Sequence, residues 1–362
     1  MGATNWRRGL VNWGRLSTIV FHMTSSLPDI TLVTGATGLI GSHVVRSLLA
    51  LGQPVSALYR PQNGYGLLAD VADKLTWVEG DLLDIPSLED AITPGCDIIH
   101  CAAIVSFVPK DRARMEQINV EGTANLVNVC LQVGVRKLAY LSSVAALGRP
   151  EAKGPVTNQP IVLTEDQKWE ESPLNSAYAS TKYRAELEVW RGSAEGLPVV
   201  MVNPTVVLGE GDWTRSSTQL IKYVYDEKRF YTEGDINYVD VLDVADAIVK
   251  LLHSTVVNER FILNAGVLPY RDFLTKLAQA LGKRPPNIRV PPGLASVLAR
   301  AEAVRSWLTG AAPLITPETA RGASHHYYYP GNRISQVIDF QYHALDETLK
   351  RIAESVETRD KR

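Results

Sequence analysis

Two side chains that could exchange a proton lie four positions apart in one segment of the chain. Tyr178 and Lys182 fall in a stretch with helical character from about Ser176 to Trp190. Residues four apart on a helix share a face, so the phenol and the ammonium should point into the same space. Free tyrosine has a pKa of about 10, which a nearby ammonium lowers by stabilising the phenolate. The spacing predicts that Tyr178 exchanges a proton with an alcohol or a carbonyl.

A hydroxyl group in a suitable place makes this hypothesis more specific than the pair alone, because such pairs are common on exposed helices. The predicted strand 138–141 ends at Ser142 and Ser143, just before a loop. A hydroxyl at the end of a strand can hydrogen-bond a substrate oxygen. Ser143, Tyr178 and Lys182 are therefore the predicted catalytic residues.

These residues need a scaffold, and a glycine-rich turn near the start of the chain indicates one. Residues 30–33 are apolar and β-branched, Gly35, Gly38 and Gly41 follow at once, and helical spacing begins at His43. Such a strand–turn–helix unit offers backbone N–H groups and a helix dipole to a pyrophosphate. It predicts a dinucleotide site, and the alternative is an ordinary glycine-rich turn between a strand and a helix.

The residue after the second predicted strand bears on the choice of dinucleotide. The strand 54–59 runs into Arg60. An acid at this place usually holds the ribose 2′-hydroxyl of NAD, whereas an arginine suits the 2′-phosphate of NADP. Arg60 therefore favours NADP(H), with NAD possible, and the alternative is a solvated surface arginine.

Two further predicted strands, 75–78 and 97–100, are followed by small residues such as Gly80 and Ala102, which leave room for a ligand at the crevice. Asp81 and Leu82 follow the first of these strands, and Ala102 and Ala103 follow the second. His100 lies in a buried run without a ligand-spaced partner, so we interpret it as a core histidine and predict no metal site.

The motifs, taken in order, resemble the extended (atypical) short-chain dehydrogenase/reductase superfamily, also described as the NAD-dependent epimerase/dehydratase family. The resemblance covers about residues 29–350 and includes the segments 34–41, 80–82, 100–103, 119–123, 141–143, 178–182, 203–204 and 237–245. It implies hydride transfer between a nicotinamide and a substrate carbon, with Tyr178 handling the proton and Lys182 also holding the nicotinamide ribose. The cofactor-binding residues that it implies, with Arg60 added, are Gly35, Thr37, Gly38, Leu39, Ile40, Arg60, Asp81, Leu82, Ala102, Ala103, Tyr178, Lys182, Pro204 and Val207.

Departures from the family pattern narrow the expected activity. Nucleotide-sugar dehydratases carry an acidic pair after the active-site hydroxyl, whereas residues 144–148 contain no acid. Epimerases of this family place an arginine before the segment matching Tyr238, whereas Ile236 stands there, preceded by Asp235. An apolar residue beside an acid is a poor diphosphate site, although Lys222, Arg229 or Arg271 could substitute.

The pattern 164–169 and Arg60 are similar to the dihydroflavonol-reductase and 3β-hydroxysteroid-dehydrogenase-like branch. This resemblance predicts an NADP(H)-dependent oxidoreductase that acts on the carbonyl or alcohol of a rather apolar small molecule. The alternatives are an NAD-dependent nucleotide-sugar epimerase and a non-catalytic NADP-binding regulator, but such regulators tend to lose the Tyr178/Lys182 pair.

Composition limits the remaining possibilities. A net charge of −2 argues against a nucleic-acid partner, and no run approaches the roughly 20 apolar residues of a membrane helix. Three cysteines without ligand spacing suggest reduced thiols in a cytoplasmic compartment. Helices at 112–133 and 176–190 suggest, by analogy, a homodimer.

The expected fold is α/β, a doubly wound Rossmann sheet with a smaller C-terminal α+β substrate lobe. Residues 29–205 plus 238–264 form the predicted NAD(P)-binding domain, and residues 206–237 plus 265–345 form the substrate lobe. Residues 1–28 are predicted to be a disordered extension, residues 294–308 an amphipathic helix, and residues 346–362 a C-terminal helix and tail.

Overall fold

The computed structural model describes residues 30–151, 160–213, 217–291, 305 and 326–360. The strands are β1 Thr31–Thr34, β2 Val55–Tyr59, β3 Thr76–Glu79, β4 Asp97–His100, β5 Lys137–Leu141, β6 Ile161–Val162, β7 Val199–Pro204, β8 Val206–Leu208, β9 Phe230–Tyr231, β10 Asp235–Asp240, β11 Glu259–Leu263, β12 Gly266–Pro269, β13 Ile288–Arg289 and β14 Tyr327–Tyr328. The helices are α1 Leu39–Ala50, α2 Ile85–Ala91, α3 Arg112–Met115, α4 Gly122–Val133, α5 Ala177–Ala194, α6 Thr218–Tyr225, α7 Val241–His253, α8 Tyr270–Ala280 and α9 Leu345–Asp360. The predicted segments 1–28 and 294–308 lie outside the described residues, apart from Arg305.

A seven-stranded parallel sheet forms the centre of the molecule. Its strand order is β11-β7-β5-β4-β1-β2-β3. Helices α1 and α7 pack on one face, and α2, α4 and α5 pack on the other. Burial on both faces explains why the strands β1, β4, β5 and β7 read as apolar runs without alternation. The predicted doubly wound α/β fold is confirmed.

The strand order reverses between β1 and β4, which are neighbours in the sheet. Chain connections leave these two strands in opposite directions, and this opens a crevice at their carboxyl ends, where ligands of such sheets bind. The residues after β1, β2, β4 and β5 all line this edge of the sheet. The crevice therefore collects the residues that the motifs single out.

A smaller lobe has its own sheet and its own core. Strands β8, β10 and β12 form a three-stranded sheet. Apolar side chains of α6, α8 and α9 pack together with it, including Ile221, Phe273 and Leu349. The predicted boundary at residue 238 falls inside β10, all of which lies in this small sheet, and the C-terminal helix α9 packs into the lobe core.

Two negative findings apply to the described part of the chain. Within it, no helix has the length and apolarity that crossing a membrane requires. Within the same ranges, no three His, Cys, Asp or Glu side chains come together as a possible metal site.

Candidate active site

The glycine turn between β1 and α1 forms a tight cradle at the crevice. Gly35 has a φ of +67°, and a Cβ atom there would lie 2.6 Å from the backbone of Ala102, which follows β4. The Gly38 N–H donates to the Gly35 carbonyl at 3.0 Å, and no side chain caps the N-terminus of α1. A side chain at position 35 would close this approach, so the cradle fits a ligand that is bound by backbone N–H groups, as a pyrophosphate is.

Arg60 and Asp81, both predicted to bind the cofactor, lie beside each other. Their charged groups are 3.6 Å apart, and their side chains are 37% and 34% exposed. In the amide orientation that satisfies both groups, the Asn63 oxygen accepts from Arg60 at 3.0 and 3.2 Å. The segment that follows rests on the glycine turn, because a Cβ on Gly66 would lie 2.9 Å from the Thr37 carbonyl oxygen. Arg60 is thus held at the rim of the crevice but stays accessible to an anion.

Tyr178 lies in the first turn of α5 and interacts with Ser143, which follows the end of β5 by two residues. Ser176 caps this helix, its Oγ accepting from the Ala179 N–H at 3.1 Å, which sets the direction of the first turn. Burial raises the pKa of Tyr178 to about 12, and the Ser143 hydroxyl, which interacts with the phenol, partly opposes this rise. The expectation of a lowered pKa is therefore wrong for this structure, because loss of water around the phenol outweighs its polar contacts.

Lys182 lies one turn further along α5 and is only 2% exposed. Its Nζ donates to the Tyr140 hydroxyl at 2.7 Å and to the Leu141 carbonyl at 2.9 Å. Burial lowers the pKa of Lys182 to about 7, and the charge of Glu186 partly opposes this. The ammonium thus lies beneath the end of β5, and Tyr140, one of the two residues that hold it, was not part of any motif.

His100 at the end of β4 is fully buried, as predicted for a core histidine. Its Nδ1 lies 2.6 Å from the Thr34 hydroxyl and its Nε2 lies 3.0 Å from the Thr123 hydroxyl. Burial, followed by the charge of Lys182, lowers its pKa to about 3. The ring is neutral at working pH and ties β1, β4 and α4 together.

Apolar side chains are exposed in the loop that follows β4, close to Tyr178. Phe107 is 50% exposed and its ring lies 6.5 Å from the Tyr178 ring in an edge-on arrangement, and Val105 is 41% exposed. Asn119 anchors this loop by hydrogen bonds to the N–H and carbonyl of Ile104, at 2.7 and 2.9 Å. A solvent-facing phenylalanine in a loop that is otherwise held in place is a suitable surface for an apolar ligand.

The small lobe provides no basic residue at the position where epimerases of this family carry an arginine. Ile236 is 4% exposed and packs in the lobe core, while the Asp235 carboxylate lies 2.6 Å from Nδ1 of His326. Of the basic residues that could substitute, Lys222 pairs with Asp226 and Arg271 lies over the Tyr231 ring. In the described part of the lobe, the residue next to Ile236 is thus a carboxylate that pairs with His326.

The other predicted cofactor residues end or follow strands of the large sheet or begin α1, except Val207, which lies in β8 of the small sheet. Leu39 and Ile40 begin α1, Ala103 follows Ala102, and Pro204 ends β7. Leu82 packs close to Gly122 of α4, and Val207 is 8% exposed and packs in the core of the sheet. Sequence reasoning missed Tyr140 and Glu186, and of these only Glu186 carried a signal, since it lies four residues after Lys182 and eight after Tyr178.

Comparison with known proteins agrees with this architecture. The chain is 29% identical over 269 residues to sterol demethylase protein B of Methylococcus capsulatus (73% of this chain, 78% of the relative). It is 30% identical over 273 residues to cinnamoyl-CoA reductase 1 of Petunia hybrida (73% and 80%). Dihydroflavonol-reductase-like and 3β-hydroxysteroid-dehydrogenase proteins are further relatives. The crystal structure of gox2253 matches with a TM-score of 0.77 at 27% identity, covering 91% of this chain and 98% of that one.

The family model for NAD dependent epimerases and dehydratases matches residues 31–266, which include the glycine turn, the Ser143 turn, helix α5 and β10. Relatives in this family include reductases, and solved structures with the same fold include a nucleoside-diphosphate-sugar epimerase at 23% identity and an enzyme in complex with NAD+ at 20% identity. The chain therefore belongs to the NAD-dependent epimerase/dehydratase family, within the extended short-chain dehydrogenases/reductases.

Proposed function

We propose that this protein is an NADP(H)-dependent oxidoreductase that interconverts a carbonyl and an alcohol on a rather apolar small molecule. The observation that supports this most is the meeting of Ser143 and Tyr178 at the crevice, with Lys182 one helical turn away and the exposed ring of Phe107 beside the phenol. A bound nicotinamide nucleotide would supply or accept the hydride.

The protein's own residues handle the oxygen of the substrate. In the reducing direction, the Ser143 hydroxyl donates a hydrogen bond to the carbonyl oxygen, and Tyr178 gives that oxygen its proton. The positive charge of Lys182 favours the phenolate that remains. Hydride on carbon and proton on oxygen convert the carbonyl into an alcohol, and the reverse steps oxidise it.

Cofactor choice rests on Arg60. Its guanidinium is exposed at the rim and can bind the 2′-phosphate of NADP bidentately. NAD has no 2′-phosphate. Arg60 can exchange its partner Asp81 for a phosphate, because a 3.6 Å contact between exposed groups is weak.

An NAD-dependent nucleotide-sugar epimerase is the alternative within the family, and the buried Ile236 beside Asp235 weighs against it. A non-catalytic regulator is less well supported, because the proton-transfer residues are all retained.

The test is NADPH consumption by the purified protein with a panel of hydrophobic aldehydes and ketones, run in parallel with NADH. We expect NADPH to be oxidised with at least one aromatic or polycyclic carbonyl and NADH to be oxidised more slowly. Tightly held NAD that does not exchange, together with turnover of a nucleotide sugar, would instead identify an epimerase.

A further inference from the structure

The face of α5 that carries Tyr178 and Lys182 has a third member, one turn further on. Glu186 is 2% exposed, so its carboxylate is inside the protein and not at its surface. A buried carboxylate needs hydrogen-bond donors or a cation, because removal from water is costly for a charge. The groups that meet this need indicate what Glu186 does.

One carboxylate oxygen of Glu186 accepts two hydrogen bonds from residues next to the proposed substrate site. The Ser142 hydroxyl donates to Oε2 at 2.6 Å, and the Asn203 Nδ2 donates to the same oxygen at 2.8 Å. The same Asn203 amide donates to the Ser143 carbonyl at 3.0 Å. One carboxylate thus holds both Ser142, which precedes Ser143 in the chain, and Asn203, which binds the Ser143 carbonyl.

The other oxygen of Glu186 binds an arginine from the edge strand. Arg260 Nη1 donates to Oε1 at 2.6 Å, and its remaining nitrogens donate to the carbonyls of Glu165 and Gln167 at 2.7 and 2.8 Å. Arg260 compensates the buried charge and joins the segment preceding α5 to the same point. The carboxylate is therefore held from both sides and has little freedom to move.

We infer that Glu186 is a positioning residue for hydride transfer, a role that rests on the proposed function. It holds the Ser142–Ser143 turn so that the Ser143 hydroxyl meets the phenol of Tyr178 and the substrate oxygen together. It touches neither substrate nor cofactor, and its effect passes through Ser142 and Asn203. Misplacement of a reacting group by about 1 Å can lower a rate about a hundredfold.

The experiment compares Glu186→Gln, which keeps the shape and removes the charge, with Ser142→Ala, which removes a single donor. Glu188→Gln is the matched control, since Glu188 lies on the same helix but pairs with Arg191 near the surface. For each purified variant, kcat, KM, the NADPH dissociation constant and the thermal midpoint are measured.

For Glu186→Gln we expect kcat to fall about tenfold to a hundredfold, with KM for the carbonyl and affinity for NADPH within about threefold of wild type. Ser142→Ala should show a smaller loss of the same kind, and Glu188→Gln should match wild type. If Glu186→Gln does not fold, the kcat of Ser142→Ala decides whether the positioning role holds. A folded Glu186→Gln protein with unchanged kcat would overturn the inference.

Crystal structures of wild type and Glu186→Gln separate this inference from the proposed function. Displacement of the Ser143 hydroxyl relative to the Tyr178 phenol supports positioning even if no carbonyl substrate is turned over, an outcome that would refute only the proposed function. A Ser142–Ser143 turn that does not move would overturn the inference whatever the activity.

Discussion

The two ends of the crevice differ in how far their ionisable groups are exposed to water. At the tyrosine end, formed by Ser143, Tyr178, Lys182 and Glu186, the Lys182 and Glu186 side chains are buried, and loss of water displaces the pKa values of Tyr178 and Lys182 from their usual range. At the arginine end, formed by Arg60 and Asp81, the charged groups are about a third exposed and form one long contact. Burial displaces the pKa values of groups that could transfer a proton, whereas recognition of an anion needs a charge that stays accessible.

The difference predicts that changes at the tyrosine end affect rate and changes at the arginine end affect affinity. At the tyrosine end the buried groups act together, because each one sets the surroundings of the next. The exposed pair at the arginine end is weakened by water and salt, so its members act nearly alone. The following predictions test this contrast, from the largest expected effect to the smallest.

Tyr178→Phe should remove the proton donor and leave the fold intact. We expect kcat to fall about a hundredfold to ten-thousandfold, the usual contribution of a general acid, with NADPH affinity unchanged. Steady-state kinetics and a fluorescence titration measure the two effects. Tyr183→Phe is the control, because Tyr183 lies on the same helix and stacks on Trp169 with ring centroids 4.5 Å apart. A Tyr178→Phe protein with more than about a tenth of wild-type kcat contradicts a reacting phenol.

The pH dependence should differ between the two directions of the reaction. With its pKa raised to about 12, Tyr178 is protonated at working pH and is ready to donate. We expect kcat/KM for alcohol oxidation to rise by up to about tenfold per pH unit between about pH 6 and pH 9, because only the phenolate accepts a proton. Carbonyl reduction should not rise over that range. An oxidation rate that falls with pH would mean that another group is the base.

Arg60→Ala should weaken the binding of NADPH and have little effect on NADH. Loss of hydrogen bonds to a phosphate costs about 1.5–3 kcal/mol, which corresponds to roughly tenfold to a hundredfold in the dissociation constant. Titrations that follow nicotinamide fluorescence measure both nucleotides. Arg289→Ala, an exposed arginine paired with Glu233 in the small lobe, is the control. Equal losses for both nucleotides would remove Arg60 as the basis of selectivity.

His343→Gln tests an ion pair away from the crevice that joins a half-exposed side chain to a buried one, since the Asp243 side chain is only 1% exposed. The Asp243 carboxylate beside it raises the pKa of His343, whose side chain is 44% exposed. A raised pKa stabilises the fold below about pH 6.5, and this contribution is lost as the pH rises through the folded-state pKa. We therefore expect the variant to lose no more than about 1 kcal/mol of unfolding free energy near pH 5.5, and less near pH 8.5. Urea unfolding at both pH values measures it, and a loss that grows with pH would reverse the assignment.

Much of the fold followed from local patterns in the chain. The strands after which Gly35, Arg60 and Ala102 stand were predicted within a residue or two, because apolar β-branched runs, glycine turns and helical spacing are properties of neighbouring residues. The helix that carries Tyr178 was confirmed and runs to Ala194, further than predicted. The resemblance to the family was confirmed for the same reason, since it depends on the order of short motifs.

The sequence by itself therefore determined the doubly wound sheet, the family and the shared helix face of Tyr178 and Lys182. Only the tertiary structure decided the direction of the Tyr178 pKa, the seating of Lys182 against Tyr140, and the joining of Glu186 to Ser142 and Arg260. The physical reason is that spacing along a helix says which side chains point the same way. What excludes water from them, and which distant strand supplies their partners, depends on contacts between residues that are 40 or more positions apart in the chain.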